Sequence, residues 1–252
     1  MLRFEGPQSE GWGDVHLSRR DCSHLDCHVL VDFDGTIASV DTTDLLLEQF
    51  ADPAWHAIED DWKAGKIGSR ECLARQIDLI RATPAEIDAF ISNIEIDPGF
   101  PAFVAHCRAA GHRVTVVSDG LDRTVGAVLR QAGIDLPYFA NHFAAIGEDR
   151  WRLTFPHARS DCRPLSGNCK CQFADAANGP VRIVVGDGRS DFCVAERADL
   201  VLAKSSLLRH CRSEHLPHQA FTTFDEATRL LAGWLTSPTA AFASTLDARR
   251  ND

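Results

Sequence analysis

A chain of 252 residues with 44% hydrophobic content carries enough apolar side chains for a sizeable core, which excludes a disordered chain and fits one domain bearing a smaller insert. Setting 26 Lys and Arg against 36 Asp and Glu leaves a formal charge of -10, which repels nucleic-acid backbones and anionic lipid at long range. A small anionic substrate stays compatible, because one lysine and one metal ion inside a cleft reverse the potential locally.

Nine cysteines, odd in number and irregular in spacing, read as reduced thiols of a cytoplasmic protein rather than as a disulfide framework. No run of about 18 apolar residues is present to span a bilayer. Residues 1–27, expected to be an N-terminal extension, lack the apolar segment of a secretory signal.

In chain order, His28 to Val31 is a short apolar run that breaks off into Asp-Phe-Asp-Gly-Thr, the pattern of a buried parallel strand opening into a polar turn. Residues 43–100 then show helical periodicity only. Trp55, Ile58 and Trp62 share one face, as do Leu73, Ile77 and Ile80. Thr83-Pro84-Ala85-Glu86 predicts a capped helix start ahead of Ile87, Phe90, Ile91 and Ile94. This segment is expected to be an all-helical domain inserted into a core of residues 28–42 and 101–235.

Past the insert, Arg113 to Val117 runs into Ser118-Asp119-Gly120, and Val181 to Val185 runs into Gly186-Asp187-Gly188, repeating the design of the first strand. Between them Leu121, Val125, Val128 and Leu129 mark a helix stopped by Gly133, and Leu200 to Ala203 predicts a fourth strand. Residues 139–155 allow a β-hairpin or an irregular flap around Gly147-Glu148-Asp149, and residues 236–252 form a tail expected to fray. Strands alternating with helices imply a parallel α/β sheet, whose ligands gather beyond the carboxyl ends of the strands.

All three polar turns would meet there. Asp32 and Asp34, two apart at a strand end, can face one side while Phe33 faces the other, and two such carboxylates call for a metal ion or a shared proton. Gly35 and Thr36 permit a tight turn and close approach to a ligand. Ser118 offers a hydroxyl, Lys170 a point charge suited to phosphate, and Asp187 with Asp191 a second carboxylate pair. Each residue alone also reads as a turn, cap or surface group; the order Asp-x-Asp, Ser, Lys, Asp on successive elements is what points to a site.

With those residues in place, the chain resembles the haloacid dehalogenase superfamily, whose four motifs match Val29-Leu30-Val31-Asp32-Phe33-Asp34-Gly35-Thr36, Val116-Val117-Ser118-Asp119-Gly120, Cys169-Lys170 and Val185-Gly186-Asp187-Gly188-Arg189-Ser190-Asp191. Within it the MtnX-like branch is most similar, beside the methionine-salvage, phosphoserine and phosphocholine phosphatases. Asp41-Thr42-Thr43-Asp44, Ile96-Asp97-Pro98-Gly99-Phe100 and Gly167-Asn168-Cys169-Lys170 carry that finer likeness.

The resemblance implies a Rossmann-like core with a helical cap, and a Mg²⁺-dependent phosphatase acting on a small-molecule phosphate ester; the chain is expected to be a monomer or homodimer, a choice the sequence leaves open. It makes Asp32 the nucleophile that forms an aspartyl-phosphate and Asp34 the general acid, then base. Mg²⁺ would be held by Asp32, Asp187 and the Asp34 carbonyl, with Asp191 orienting Lys170 or a metal-bound water. Ser118 and Lys170 would hold the transferring oxygens, and Thr36, Asp119 and Gly120 are expected at the substrate, Asp119 toward its leaving group. Gly35 stands where phosphoserine phosphatases usually carry serine, which weakens phosphoserine as the substrate.

Two alternatives follow from the same residues. A mutase or phosphotransferase would keep the aspartyl-phosphate and pass it to another alcohol. A non-catalytic metal-binding protein would use His157, Cys162, Cys169 and Cys171 for zinc, although they lack a Cys-x-x-Cys pair and buried thiols are the plainer reading. Arg70, Arg75 and Arg81 in the helical insert either reach a substrate anion or face solvent.

Overall fold

The computed structural model describes residues 26–174 and 181–236. Nearly all of the expected tail and of the expected N-terminal extension lie outside the described residues; Thr236 ends a helix. Seven strands form one sheet: β1 (Cys27–Val31), β2 (Arg113–Leu121), β3 (Tyr138–Ala145), β4 (Trp151–Thr154), β5 (Val181–Gly186), β6 (Leu200–Ala203) and β7 (His218–Ala220). Their order is β4-β3-β2-β1-β5-β6-β7, with every pair parallel except β3 and β4. The chain leaves central β1 toward β2 and β3, then returns to its other side at β5. That reversal is a topological switch point, and Asp32 directly follows β1 beside it.

The central strands are apolar on both faces, as buried parallel strands must be: Val29, Val31, Val116, Ile183, Val185 and Leu202 belong to one apolar cluster, and Leu30, Val117, Val184 and Val201 to another. The predicted hairpin forms, with Phe143 opposite Leu153 and Ala145 opposite Trp151. One expectation shifts. Ser118-Asp119-Gly120 are not a turn after β2 but part of it, because the register slips between Val117, opposite Phe139, and Leu121, opposite Asn141. Three residues of β2, Ser118 to Gly120, thus lie opposite the single Ala140 of β3, and this bulge turns the polar residues away from regular pairing.

Helices α1 (Thr42–Phe50), α2 (Trp55–Lys63), α3 (Ser69–Ile77) and α4 (Pro84–Ile91) fill the stretch that reads as helical in the sequence. The capping box at Thr83 and Glu86 forms, and Asp41 caps α1 by accepting from the backbone N–H of Thr43 and Asp44. Trp55, Ile58, Ile77, Ile87 and Ile91 are buried. Trp62 is only half-buried, with the Arg189 guanidinium 5.0 Å from its ring centre. The two ends of this stretch are tied together by a bridge between Ala38 and Ile96 and by the Asp97 N–H donating to the Ile37 carbonyl.

Five helices belong with the sheet: α5 (Phe100–Ala109), α6 (Asp122–Gln131), α7 (Phe192–Ala195), α8 (Ser205–Ser213) and α9 (Phe224–Thr236). Rings of Phe100 and Phe103 on α5 meet Phe224 on α9 edge-on at 4.8 and 5.2 Å. Among the described residues no helix is long and apolar enough to cross a membrane.

Candidate active site

Asp32 continues β1 and is pinned there by its N–H donating to the Val185 carbonyl of β5. Its Oδ1 accepts from the Phe33 N–H at 2.8 Å and lies 2.6 Å from Lys170 Nζ. The same ammonium lies 2.7 Å from Asp191 Oδ1. Lys170 opens a short 3-10 turn, Lys170–Phe173, between β4 and β5, so this connection and the segments after β1 and β5 contribute to one buried ion cluster.

Asp34 is held differently. Its Oδ1 accepts from the Thr42 N–H at 2.8 Å and the Thr42 hydroxyl at 2.5 Å, while Oδ2 lies 3.4 Å from Ser118 Oγ. Ser118 is fully buried, and its Oγ accepts from the Gly120 N–H at 2.8 Å. Gly120 is glycine for a steric reason: a Cβ there would come within 2.4 Å of Asp34 Oδ2 and 3.1 Å of Ser118 Oγ. Gly35 is required twice over, by its φ of +68° and by the Asp187 carboxylate, which a Cβ would meet at 2.6 Å.

Asp187 receives a 3.4 Å contact from the Thr36 hydroxyl, and its carbonyl anchors α8 through the Leu207 N–H and the Ser206 hydroxyl. Asp119 does not turn to the carboxylate cluster. Its Oδ2 accepts from the Ser69 hydroxyl at 2.7 Å, and its Oδ1 from the Asn168 N–H at 2.8 Å and the Asn141 amide at 3.3 Å.

The electrostatics follow from burial. Asp32 is 6% exposed, and desolvation, with Asp191 and Asp187 adding to it, holds its carboxyl well above the ordinary range against the opposing pull of Lys170. Burial, then Asp41, push Asp34 up to about 7 although the Thr42 hydrogen bonds oppose the shift. Burial and Asp191 push Asp187 up to about 6. Burial works against the Lys170 ammonium, but Asp191 and Asp32 outweigh it and hold the group above its usual value.

Four carboxylates therefore share one buried ammonium, a charge excess that a cation would offset. One oxygen each from Asp32, Asp187 and Asp191 lies within 4.8 Å of the others, the only such group of three potential ligands among the described residues. An all-oxygen set suits Mg²⁺, and the side chain of Asp34 stands outside it. Among the described residues no group of three potential ligands includes His157, Cys162, Cys169 or Cys171: His157 offers its carbonyl to Cys169 N–H and its ring to Phe139 and Phe173, while Cys162, Cys169 and Cys171 are buried free thiols.

Several neighbours of the site are not evident from the motifs. Lys204, at the end of β6, donates to the Thr36 carbonyl at 3.2 Å; burial lowers its ammonium while Asp97 and Asp187 counteract. Its place after a short apolar strand repeats the pattern of the other motif residues. Asn168 reaches the Ser118 and Phe139 carbonyls at 2.8 Å each, and Ser69 reaches Asp119, contacts that no local pattern encodes. Of the arginines in the helical stretch, Arg75 pairs with Glu71 and Arg81 donates to the carbonyls of Asp78 and Ile80.

A parallel sheet that gathers carboxylates, a lysine and a serine at its switch point defines a class of enzymes working on phosphate esters. The profile of the haloacid dehalogenase-like hydrolase family matches residues 29–196. The 2-hydroxy-3-keto-5-methylthiopentenyl-1-phosphate phosphatase of Geobacillus thermodenitrificans is 33% identical over 77% of this chain and 90% of its own length. Its counterpart from an Exiguobacterium species is 32% identical over 83% of this chain and 99% of its own. A solved phospho-aspartyl intermediate analogue of phosphoserine phosphatase shares the fold, with a TM-score of 0.60 at 20% identity over 79% of this chain and 95% of that one. The chain belongs to the haloacid dehalogenase-like hydrolase family. It is a phosphatase of the MtnX-like kind.

Proposed function

We propose that this phosphatase forms an aspartyl-phosphate on Asp32 with the help of Mg²⁺, and that its substrate is a small phosphorylated metabolite of the kind named for its relatives, 2-hydroxy-3-keto-5-methylthiopentenyl-1-phosphate. The observation that carries the reading is the shared cluster: Asp32 lies 2.6 Å from Lys170 and within 4.8 Å of carboxylate oxygens of Asp187 and Asp191.

Asp32 is fixed through Oδ1, which leaves Oδ2 without a protein donor among the described residues and suited to attack phosphorus. Asp34, near 7 and held rigidly by Thr42, would give its proton to the leaving oxygen and then take one from water. Lys170 and the Ser118 hydroxyl would hold the phosphoryl oxygens, with the Thr36 hydroxyl and Gly120 beside the substrate. Asp32, Asp187 and the Asp34 carbonyl would hold Mg²⁺, with Asp191 beside them orienting Lys170. Bound Mg²⁺ supplies charge neutralisation between carboxylate and phosphate dianion.

Residues 43–100 are read as a cap over the core of residues 28–42 and 101–235, since the chain crossings at both ends run side by side at Ala38 and Ile96. Phosphate release from a panel of phosphorylated metabolites, with and without Mg²⁺, tests the proposal. Release from 2-hydroxy-3-keto-5-methylthiopentenyl-1-phosphate at a rate above that from phosphoserine is expected. Equal rates in chelator, or phosphate passed to an added alcohol in place of water, would overturn it.

A further inference from the structure

Asp119 sits where three parts of the chain meet. Ser69, the first residue of α3, donates its hydroxyl to Asp119 Oδ2 at 2.7 Å. Asn168 donates its N–H to Oδ1 at 2.8 Å, and Asn141 on β3 donates to both Oδ1 and the Asp119 carbonyl. Two reacting groups adjoin this joint: Ser118 precedes Asp119, and Lys170 lies two residues past Asn168. The fully buried Asn168 closes the circuit by donating its side chain to the Ser118 carbonyl.

A second contact of the helical stretch reinforces the same joint. The Arg70 N–H, next along α3, donates to the Leu165 carbonyl at 3.1 Å, on the loop that carries Asn168 and Lys170. Leu165 holds a φ of +51°, and a Cβ at Gly68 would meet its side chain at 2.7 Å, so the α3 terminus is fitted closely against that loop. Among these contacts, Ser69 is the only side chain of the helical stretch that donates to a residue adjoining Ser118.

We infer that Asp119 is a positioning residue that couples the seating of α3 to the placement of Ser118 and Lys170, and that it does not grip the leaving group. The inference rests on the phosphatase reading above for its kinetic readout. With both oxygens engaged by three donors, the carboxylate spans the joint, and loss of the Ser69 hydroxyl frees one end. The serine and the lysine would then lose their common reference.

The test uses the full chain with Mg²⁺, an aryl phosphate and an alkyl phosphate. Ser69→Ala is expected to lower kcat/KM by about tenfold on both, with Ser69→Thr restoring most of it. Asp119→Asn and the double variant should fall to one common level, since both break one circuit. Amide exchange at Asn168 should accelerate in Ser69→Ala. Wild-type turnover and wild-type exchange at Asn168 in Ser69→Ala would overturn the inference. So would an Asp119→Asn variant that changes the ratio between the two substrates while Ser69→Ala does not, because that is the mark of a leaving-group contact. If the wild-type chain released no phosphate, the phosphatase mechanism would fail on its own, and the exchange measurement would still decide the coupling.

Discussion

Lys170 Nζ lies 2.6 Å from Asp32 Oδ1 with both side chains buried, so the would-be nucleophile and its counter-charge are fixed before any substrate arrives. A buried pair of this kind is costly to break from one side, because the remaining charge is left uncompensated. Lys170→Met should therefore destabilise the metal-free protein by about 3–5 kcal/mol, as the carboxylates of Asp32 and Asp191 lose their shared cation. Denaturant unfolding without divalent ions checks this; an unchanged midpoint would mean the pair contributes nothing to folding.

Asp32→Asn has the opposite sign for stability. The Asp32 carboxyl is held above its usual range by burial and by Asp191 and Asp187, so replacing it with a neutral isostere relieves repulsion while Lys170 keeps Asp191. The variant should melt at or above the wild-type temperature without Mg²⁺, yet lose phosphate release by about a thousandfold or more, as the loss of a nucleophile demands. Substantial residual turnover would remove Asp32 from the proposed role.

Much of the site was legible in the sequence because the motifs of Asp32, Ser118 and Asp187 close short apolar strands, and a parallel sheet delivers such ends to one edge, whereas Lys170 sits on a turn after a long loop. Asp32 and Asp187 directly follow β1 and β5, Ser118 lies in the last stretch of β2, and β6 coincides with the run from Leu200 to Ala203. The bulge that keeps Ser118 to Gly120 within β2 was not legible, since it depends on which residues of β3 lie opposite. Nor was the engagement of Asp119: Ser69 is fifty positions away in sequence, and only the folded path of α3 brings its hydroxyl into reach. Lys204 was readable in principle, as the polar residue after a strand, but carries no motif around it.

The metal response should depend on pH. Asp187 is raised to about 6 by burial and Asp191, so its contribution to the metal-free fold is fully present below the unfolded carboxyl value of 3.8 and is lost as pH rises through about 6. Ligands must be deprotonated to hold a cation, so Mg²⁺ gains affinity over the same interval. The rise in melting temperature on adding Mg²⁺ should be small at pH 5 and larger at pH 8. Thermal melts at both values, with Ca²⁺ and chelator as controls, check it; a shift independent of pH would place the cation elsewhere.

Gly35 offers the sharpest steric test. Its φ of +68° costs any other residue about 1 kcal/mol, and a methyl group there would press to within 2.6 Å of Asp187 Oδ2. Backbone strain alone would lower stability and leave the Mg²⁺ response intact. Displacement of the Asp187 carboxylate would instead weaken both the thermal shift with Mg²⁺ and phosphate release. Gly35→Ala is expected to do all three, whereas Gly65→Ala, at a φ of +72° with open space around it, should show the backbone penalty only. Comparing the two variants separates the conformational cost of a left-handed residue from the cost of crowding the carboxylate. If Gly35→Ala kept a full Mg²⁺ shift, Asp187 would not be holding the cation.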